Sequence, residues 1–237
     1  MTDAEQNEFA KLQATVTLLH MWKDAKVPEN LAISKFPPVP AKIAGTEIGP
    51  AGDSLEIAAN GSWRLMGLMT ETMVAVPTGW EIYETGEQTA LFFPIVKMTA
   101  SGPTIKPKAD ELIRATFSVV EAKDFDAFYS GYAAEITAAT KSLPGTIEIG
   151  PKHPFAGGGY CTIKTSKGFS IVVFTNVKDH PGMGFKCLAT TTLEQWKLAG
   201  PVFETMMTHW YDKSGTALAP EFKFSDVSAE SATKPAG

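Results

Sequence analysis

The stretch Met73-Val-Ala-Val-Pro-Thr-Gly-Trp-Glu-Ile-Tyr83 decides the fold. Strand-forming residues stand on both sides of Pro77-Thr78-Gly79. Proline fixes its own φ and withholds a backbone donor, and glycine allows a tight reversal. The reading is therefore strand, break, strand. Thr89–Val96 is a further apolar run, followed by a polar loop holding Pro103 and Pro107. Ile113–Val120 then alternates. Ile113, Ala115, Phe117 and Val119 face one way, and Arg114, Thr116 and Ser118 face the other.

Working toward the C-terminus, Asp124 caps a helix expected to reach about Lys141, with Phe125, Phe128, Tyr132 and Ile136 as its apolar stripe. Pro144-Gly145 ends it. Strands are expected at Thr146–Ile149 continuing across a loop to Tyr160–Thr165, then at Phe169–Asn176 and Phe185–Thr192. Lys167-Gly168 and Asp179-His180-Pro181-Gly182 form the turns between them, and such short connections make antiparallel neighbours. Thr192 and Gln195 have capping-box spacing for a last helix. Ala199, Val202, Phe203, Met206 and Trp210 form its stripe, and Gly200-Pro201 kinks or divides it.

Working toward the N-terminus, Ser54–Ala58 and Ser62–Met69 flank Asn60-Gly61, a strong hairpin dipeptide. They are expected to join the sheet that follows. Residues 28–53 hold Pro28, Pro37, Pro38, Pro40 and Pro50 with Gly45, Gly49 and Gly52, a density that forbids long helices and interior strands. The segment reads as an extended arm or linker. Residues 3–25 form a first helix, with Thr2 and Glu5 at capping-box spacing and Phe9, Leu12, Val16, Leu19 and Trp22 on one stripe. The organisation is thus helix at 1–27, arm at 28–53, α+β domain at 54–224 and disordered tail at 225–237.

This order of strands, helix, antiparallel strands and terminal amphipathic helix resembles the PsbP/Mog1-like superfamily, which includes the DcrB-type proteins. Three local matches carry the resemblance. Val76-Pro-Thr-Gly-Trp80 looks like the family's early strand break, and Phe155-Ala-Gly-Gly-Gly-Tyr160 looks like its Gly-bearing loop into a mid-domain strand. Phe203–Trp210 resembles its terminal helix, although Thr208-His209-Trp210 departs from the pattern. The resemblance covers roughly residues 60–212 and leaves the first helix and the arm outside. It implies an α+β sandwich, an antiparallel β-sheet flanked by α-helices, and a non-enzymatic binding or assembly role. The family's partners differ widely, so none is carried over, and neither is any ligand set.

Composition narrows the function classes. The chain has 237 residues, 44% of them hydrophobic and 20% charged, with a net charge of −5. Arg64 and Arg114 are its two arginines and the lysines are scattered, so the basic footprint of a nucleic-acid binder is missing. No apolar run approaches the roughly 20 residues that span a bilayer. The opening Met-Thr-Asp-Ala-Glu-Gln-Asn-Glu lacks a positive n-region and an apolar h-region, which gives a cytoplasmic expectation. Cys161 and Cys187 both fall in apparent strands. Two buried thiols are favoured over one disulfide, because nothing else points to an oxidising compartment.

The chemistry-bearing residues form no recognised constellation. His20, His153, His180 and His209 lack the close pairing of a zinc site, and no cofactor is expected. His153 and His180 each precede a proline in a turn, and with Asp179 they are the weak candidates for a metal or acid–base site. Gly157-Gly-Gly159 runs into a strand, not a helix, so no helix dipole faces an anion there. Leu65, Met66, Leu68 and Met69 crowd four large adaptable side chains into five positions, which suits either a core or a partner face. The expectation is a non-enzymatic adaptor, chaperone or accessory subunit. The stripe of the first helix packs either on the chain's own body or on a partner; in the second case the protein docks a protein partner or larger complex through Phe9, Leu12, Val16, Leu19 and Trp22, with Leu65, Met66 and Met69 as further partner-facing residues. A structural subunit of a virion or secretion machine, and a metal-dependent small-molecule enzyme using His153 and His180, are the alternatives. Oligomeric state is left open.

Overall fold

The computed structural model describes residues 2–28, 31–45, 54–84, 89–94, 98–99, 102–103, 113–140, 147–166, 168–178, 180–192, 194–219 and 222–223. Helix α1 (Asp3–Trp22) and a short 3-10 turn (Ile33–Lys35) precede β1 (Ser54–Asn60), β2 (Trp63–Leu68), β3 (Thr72–Pro77), β4 (Trp80–Glu84) and β5 (Thr89–Pro94). Two short strands, β6 (Met98–Thr99) and β7 (Gly102–Pro103), pair with each other. There follow β8 (Arg114–Glu121), α2 (Phe125–Thr140), β9 (Ile147–Ile149), β10 (His153–Phe155), β11 (Gly158–Thr165), β12 (Gly168–Asn176), β13 (Met183–Thr192), α3 (Trp196–Thr208) and β14 (Trp210–Asp212).

The class is α+β, with antiparallel sheets packed by helices. The large sheet runs β10-β11-β12-β13-β8-β5-β4, with β9 also on β11, and the small one runs β1-β2-β3-β14. The break at Pro77-Thr78-Gly79 is where the chain crosses between them, since β3 belongs to the small sheet and β4 to an edge of the large one. The Asn60-Gly61 hairpin forms as expected, with Gly61 at φ 61°. It joins the following strand β3 as expected, but with β14 this makes a sheet separate from that of β4.

Strand parity sorts the layers. On the inner face of the small sheet Met66 pairs with Val74 and Val74 with Trp210. Trp210 meets Phe117 at 5.0 Å and Phe185 at 5.8 Å, both from the large sheet. This is the central core. Helix α3 touches both β3 and β13 and adds Phe203 against Trp80 and Trp196 against Phe169. On the opposite face of the large sheet α2 lays Phe125 and Phe128 on Phe174, stacked at 6.5 and 4.8 Å.

Two boundaries need correction. The last helix was expected to carry Trp210, but it ends at Thr208 and Trp210 opens β14, pairing with Val74. There the chain pairs with β3, and the backbone groups along that side of β3 gain partners. Pro201 lies inside α3 without dividing it, and Thr205 Oγ1 donates to the Pro201 carbonyl at 2.9 Å. The thiols settle simply. Both cysteines are buried and neither forms a disulfide. Cys161 faces the α2 side, among Phe128 and Phe174, whereas Cys187 lies in the central core, so they sit on opposite faces of the sheet.

The arm is the larger correction. Its described part, residues 31–45, is a strap over the outer face of the small sheet. Ile33 and Ile43 are buried there, continuous with the main apolar cluster, and Leu31, Phe36 and Val39 pack against it. The reason is polar as well as apolar. Trp63 Nε1 donates to the Pro37 carbonyl at 2.8 Å and Trp80 Nε1 to the Ile43 carbonyl at 2.6 Å. Prolines withhold backbone donors, which leaves carbonyls of the segment over, and buried indoles need acceptors, so each supplies what the other lacks. The segment expected as a disordered tail lies outside the described residues.

Candidate docking surface

Helix α1 starts on a capping box: Glu5 N donates to Thr2 Oγ1 at 3.3 Å, and Thr2 N donates to Glu5 Oε2 at 2.6 Å. At 3.6 residues per turn, Leu18, Met21 and Trp22 fall on one side and Phe9, Leu12, Val16 and Leu19 on nearly the opposite one. The first set docks on the small sheet. Leu18 and Trp22 are buried, with Met21 and Ala25 packed beside them.

The contact that fixes the helix is Trp22 on Gly67. A Cβ built on Gly67 would stand 2.6 Å from Trp22 Cε2, so the indole lies flat where only a glycine leaves room. Gly67 shares the outer face with Trp63 and Leu65, which alternate with it along β2. Beyond the helix, Lys26 N donates to the Lys213 carbonyl at 3.1 Å, and Lys213 Nζ lies 3.3 Å from Glu71 Oε1. The turn after β14 thereby clasps the exit of α1.

The other stripe has no cover. Phe9, Leu12, Val16 and Leu19 are 54, 63, 51 and 52% exposed. With Val27 they are the exposed large apolar side chains among the described residues. Isolated exposed apolar residues are ordinary, but four on one helical stripe form a contiguous patch of the kind that marks an interaction surface.

The expected site residues therefore divide. Phe9, Leu12, Val16 and Leu19 share the open stripe. Trp22 does not, because the helix turns it onto Gly67. Leu65 and Met66 are fully buried, on opposite faces of β2, and belong to the core. A central strand covered on both faces reads as a continuous apolar run, which explains the four large residues in five positions. Met69 is half-buried against the same core.

The histidine candidates each have a local setting. His153 stacks on Tyr160, its partner across β10 and β11, with centroids 4.5 Å apart and planes 8° apart. His180 is exposed in the β12–β13 turn, where its carbonyl accepts Met183 N at 3.0 Å. Asp179 lies outside the described residues. Among the described residues no three His, Cys, Asp or Glu side chains group as metal ligands. His209, by contrast, has a defined setting. Its ring lies 4.2 Å from Phe36 of the strap, and Nδ1 donates to the Thr205 carbonyl at 3.0 Å. Burial lowers its pKa below the usual histidine value, with the Thr205 bond opposing.

Sequence reasoning left open whether α1 packs on its own domain, and it missed the strap and which residues form the docked face of α1. The signal for the second was present, since Leu18 and Trp22 are four apart and lie on one face. The signal for the first was a pair of tryptophans, Trp63 and Trp80, each needing an acceptor.

No protein-family model and no curated protein matches the sequence. Solved structures do show likeness. CyanoP, the PsbP of Synechocystis sp. PCC 6803, is 12% identical with a TM-score of 0.43, over 67% of this chain and 97% of its own. A point mutant of the protein Mog1 is 9% identical with a TM-score of 0.41, over 68% and 96%. The Ran-binding protein Mog1p of Saccharomyces cerevisiae is 10% identical with a TM-score of 0.39, over 70% and 98%. At such distances these neighbours lend the chain no partner, activity or residue role.

Proposed function

We propose that this is a non-catalytic binding protein, an adaptor or accessory subunit, that engages a protein partner through the open stripe of α1. The observation that carries the reading is the two-sidedness of that helix. One face is anchored by Trp22, and the opposite face presents Phe9, Leu12, Val16 and Leu19 to solvent. An anchored helix with a free apolar face is pre-organised for helix-on-helix or helix-in-groove recognition, because its ordering cost is already met by the fold. A reducing compartment such as the cytoplasm fits two buried thiols that form no disulfide. No helix among the described residues is long and apolar enough to cross a membrane.

Removing residues 1–50 is a poor test, since it would strip the strap from the core. The sharper test is the double substitution Leu12→Glu with Val16→Glu. Association with partners, read by affinity capture from the native source, should be lost while the unfolding midpoint is kept. Unchanged association would overturn the reading.

A further inference from the structure

We propose that the occupant of the α1 stripe is α1 of a second copy of this chain, packed antiparallel in a reversible two-fold dimer. The proposal rests on the docking reading of α1 and names its partner. The observation is a palindrome. Glu5, Phe9, Leu12, Val16, Leu19 and Lys23 follow one another at steps of four, three, four, three and four. The alternation of three and four is that of a helix-pairing seam. Its symmetry about position 14 means that an antiparallel copy brings Phe9 opposite Leu19, Leu12 opposite Val16, and Glu5 opposite Lys23, each twice. A two-fold interface requires this self-complementarity, in which one residue meets a second and the second meets the first.

Charge selects the orientation. The first half of α1 carries Asp3, Glu5 and Glu8, and the helix end and its exit carry Lys23 and Lys26, offset in part by Lys11 and Asp24. Antiparallel pairing sets the acidic half against the basic end, whereas parallel pairing sets Glu5 on Glu5 and Lys23 on Lys23. Space also permits the pairing. The stripe points nearly opposite to the docked face, and the described side chains before Leu18 are all exposed, so the two bodies lie on the outer sides of the helix pair. Four half-exposed apolar residues and their flanks from each copy bury on the order of 1,000 Å² in total, the low end for a specific interface. The dimer is accordingly concentration-dependent.

The test uses the full chain. Light scattering coupled to size exclusion is measured up to roughly 300 µM, where even a weak interface populates its complex. In parallel, Phe9→Cys protein is mixed with Leu19→Cys protein under thiol–disulfide exchange, with each alone as control. The expected result is a mass that rises to the dimer with concentration, a cross-link in the mixture at least tenfold above either protein alone, and a monomer for Leu12→Glu with Val16→Glu. In an antiparallel pair, two copies of one substituted position stand about 15 Å apart along the axis, beyond the roughly 7 Å a disulfide spans. Self-linking of Phe9→Cys alone would show parallel packing and overturn the proposal. So would a monomer at every concentration. If that monomer still captures another protein through Leu12 and Val16, the second copy is wrong and the docking reading stands; if the double substitution changes no association, both fall.

Discussion

The Trp80 indole donates to the Ile43 carbonyl across 2.6 Å, and this one bond ties the strap to the point where the chain crosses between its two sheets. The neighbouring residues share the task. The buried Arg64 guanidinium donates to the Trp80 carbonyl, and a Cβ on Gly79 would meet the Ala44 carbonyl oxygen at 1.9 Å. The break in the sequence is thus also the seat of the strap.

Gly79→Ala should destabilise the protein by about 1–3 kcal/mol, as overpacking against well-packed surroundings does. The gain from a stiffer unfolded chain, about 0.4–1 kcal/mol, opposes it and is smaller. The obstacle is backbone, not the end of a flexible side chain, so it cannot swing aside. A lower denaturant midpoint checks this. A midpoint equal to that of the unsubstituted protein would mean that the strap does not press on Gly79.

Trp22→Ala should cost about 3 kcal/mol or more, in the range for large core truncations. Leu12→Ala, on the open stripe, should stay within about 0.5 kcal/mol. Gly67→Ala alone should be destabilising, because its methyl meets the indole. In the Trp22→Ala background the space is free, so the same methyl should cost less. A double-mutant cycle on unfolding free energies reads this coupling directly. Additive costs would place Trp22 away from Gly67.

Much of the large sheet was legible because alternation is a local signal. Ile113, Ala115, Phe117 and Val119 all turn toward the central core, as their spacing demands. The α2 stripe of Phe125 and Phe128 was legible for the same reason. The sheet partners were not. Nothing local in Met73–Val76 says that this strand pairs with β2 and β14 while Trp80–Glu84 pairs with β5. That choice is made by long-range contacts such as Trp210 on Phe117. Helix α1 failed in an instructive way. It is apolar on two sides, and a search for one stripe merged Trp22 from the docked face with Phe9 to Leu19 from the open one. The proline density of the arm correctly excluded helix and interior strand, yet density says nothing about whether an extended segment is free or bound.

Cys161 and Cys187 should resist thiol reagents in the native state and react together on unfolding. Both are fully buried, and burial pushes the Cys187 thiol pKa well up, which suppresses the reactive thiolate. Counting modified thiols against denaturant should give a single step of both groups at the unfolding transition. Labelling of either in native buffer, faster than global unfolding permits, would show local opening of that side of the sheet.

His209 should make stability pH-dependent. Its native pKa is depressed, chiefly by burial against Phe36 and its neighbours, while the unfolded chain titrates near the ordinary value of about 6.5. Between those two values the unfolded state binds more protons than the native state, so stability rises with pH there. The contribution is full above about pH 6.5 and is lost as pH falls toward and through the native pKa. Protonation leaves the Nδ1 bond to Thr205 intact but places a charge against the Phe36 ring in the half-buried site. His209→Asn removes the titrating group, so its unfolding free energy should fall less steeply from pH 7 to pH 5 than that of the unsubstituted protein. Carboxylates elsewhere titrate in both proteins and cancel in the difference. Parallel pH profiles for the two would show that the ring is as well solvated folded as unfolded, and that the strap does not bury it.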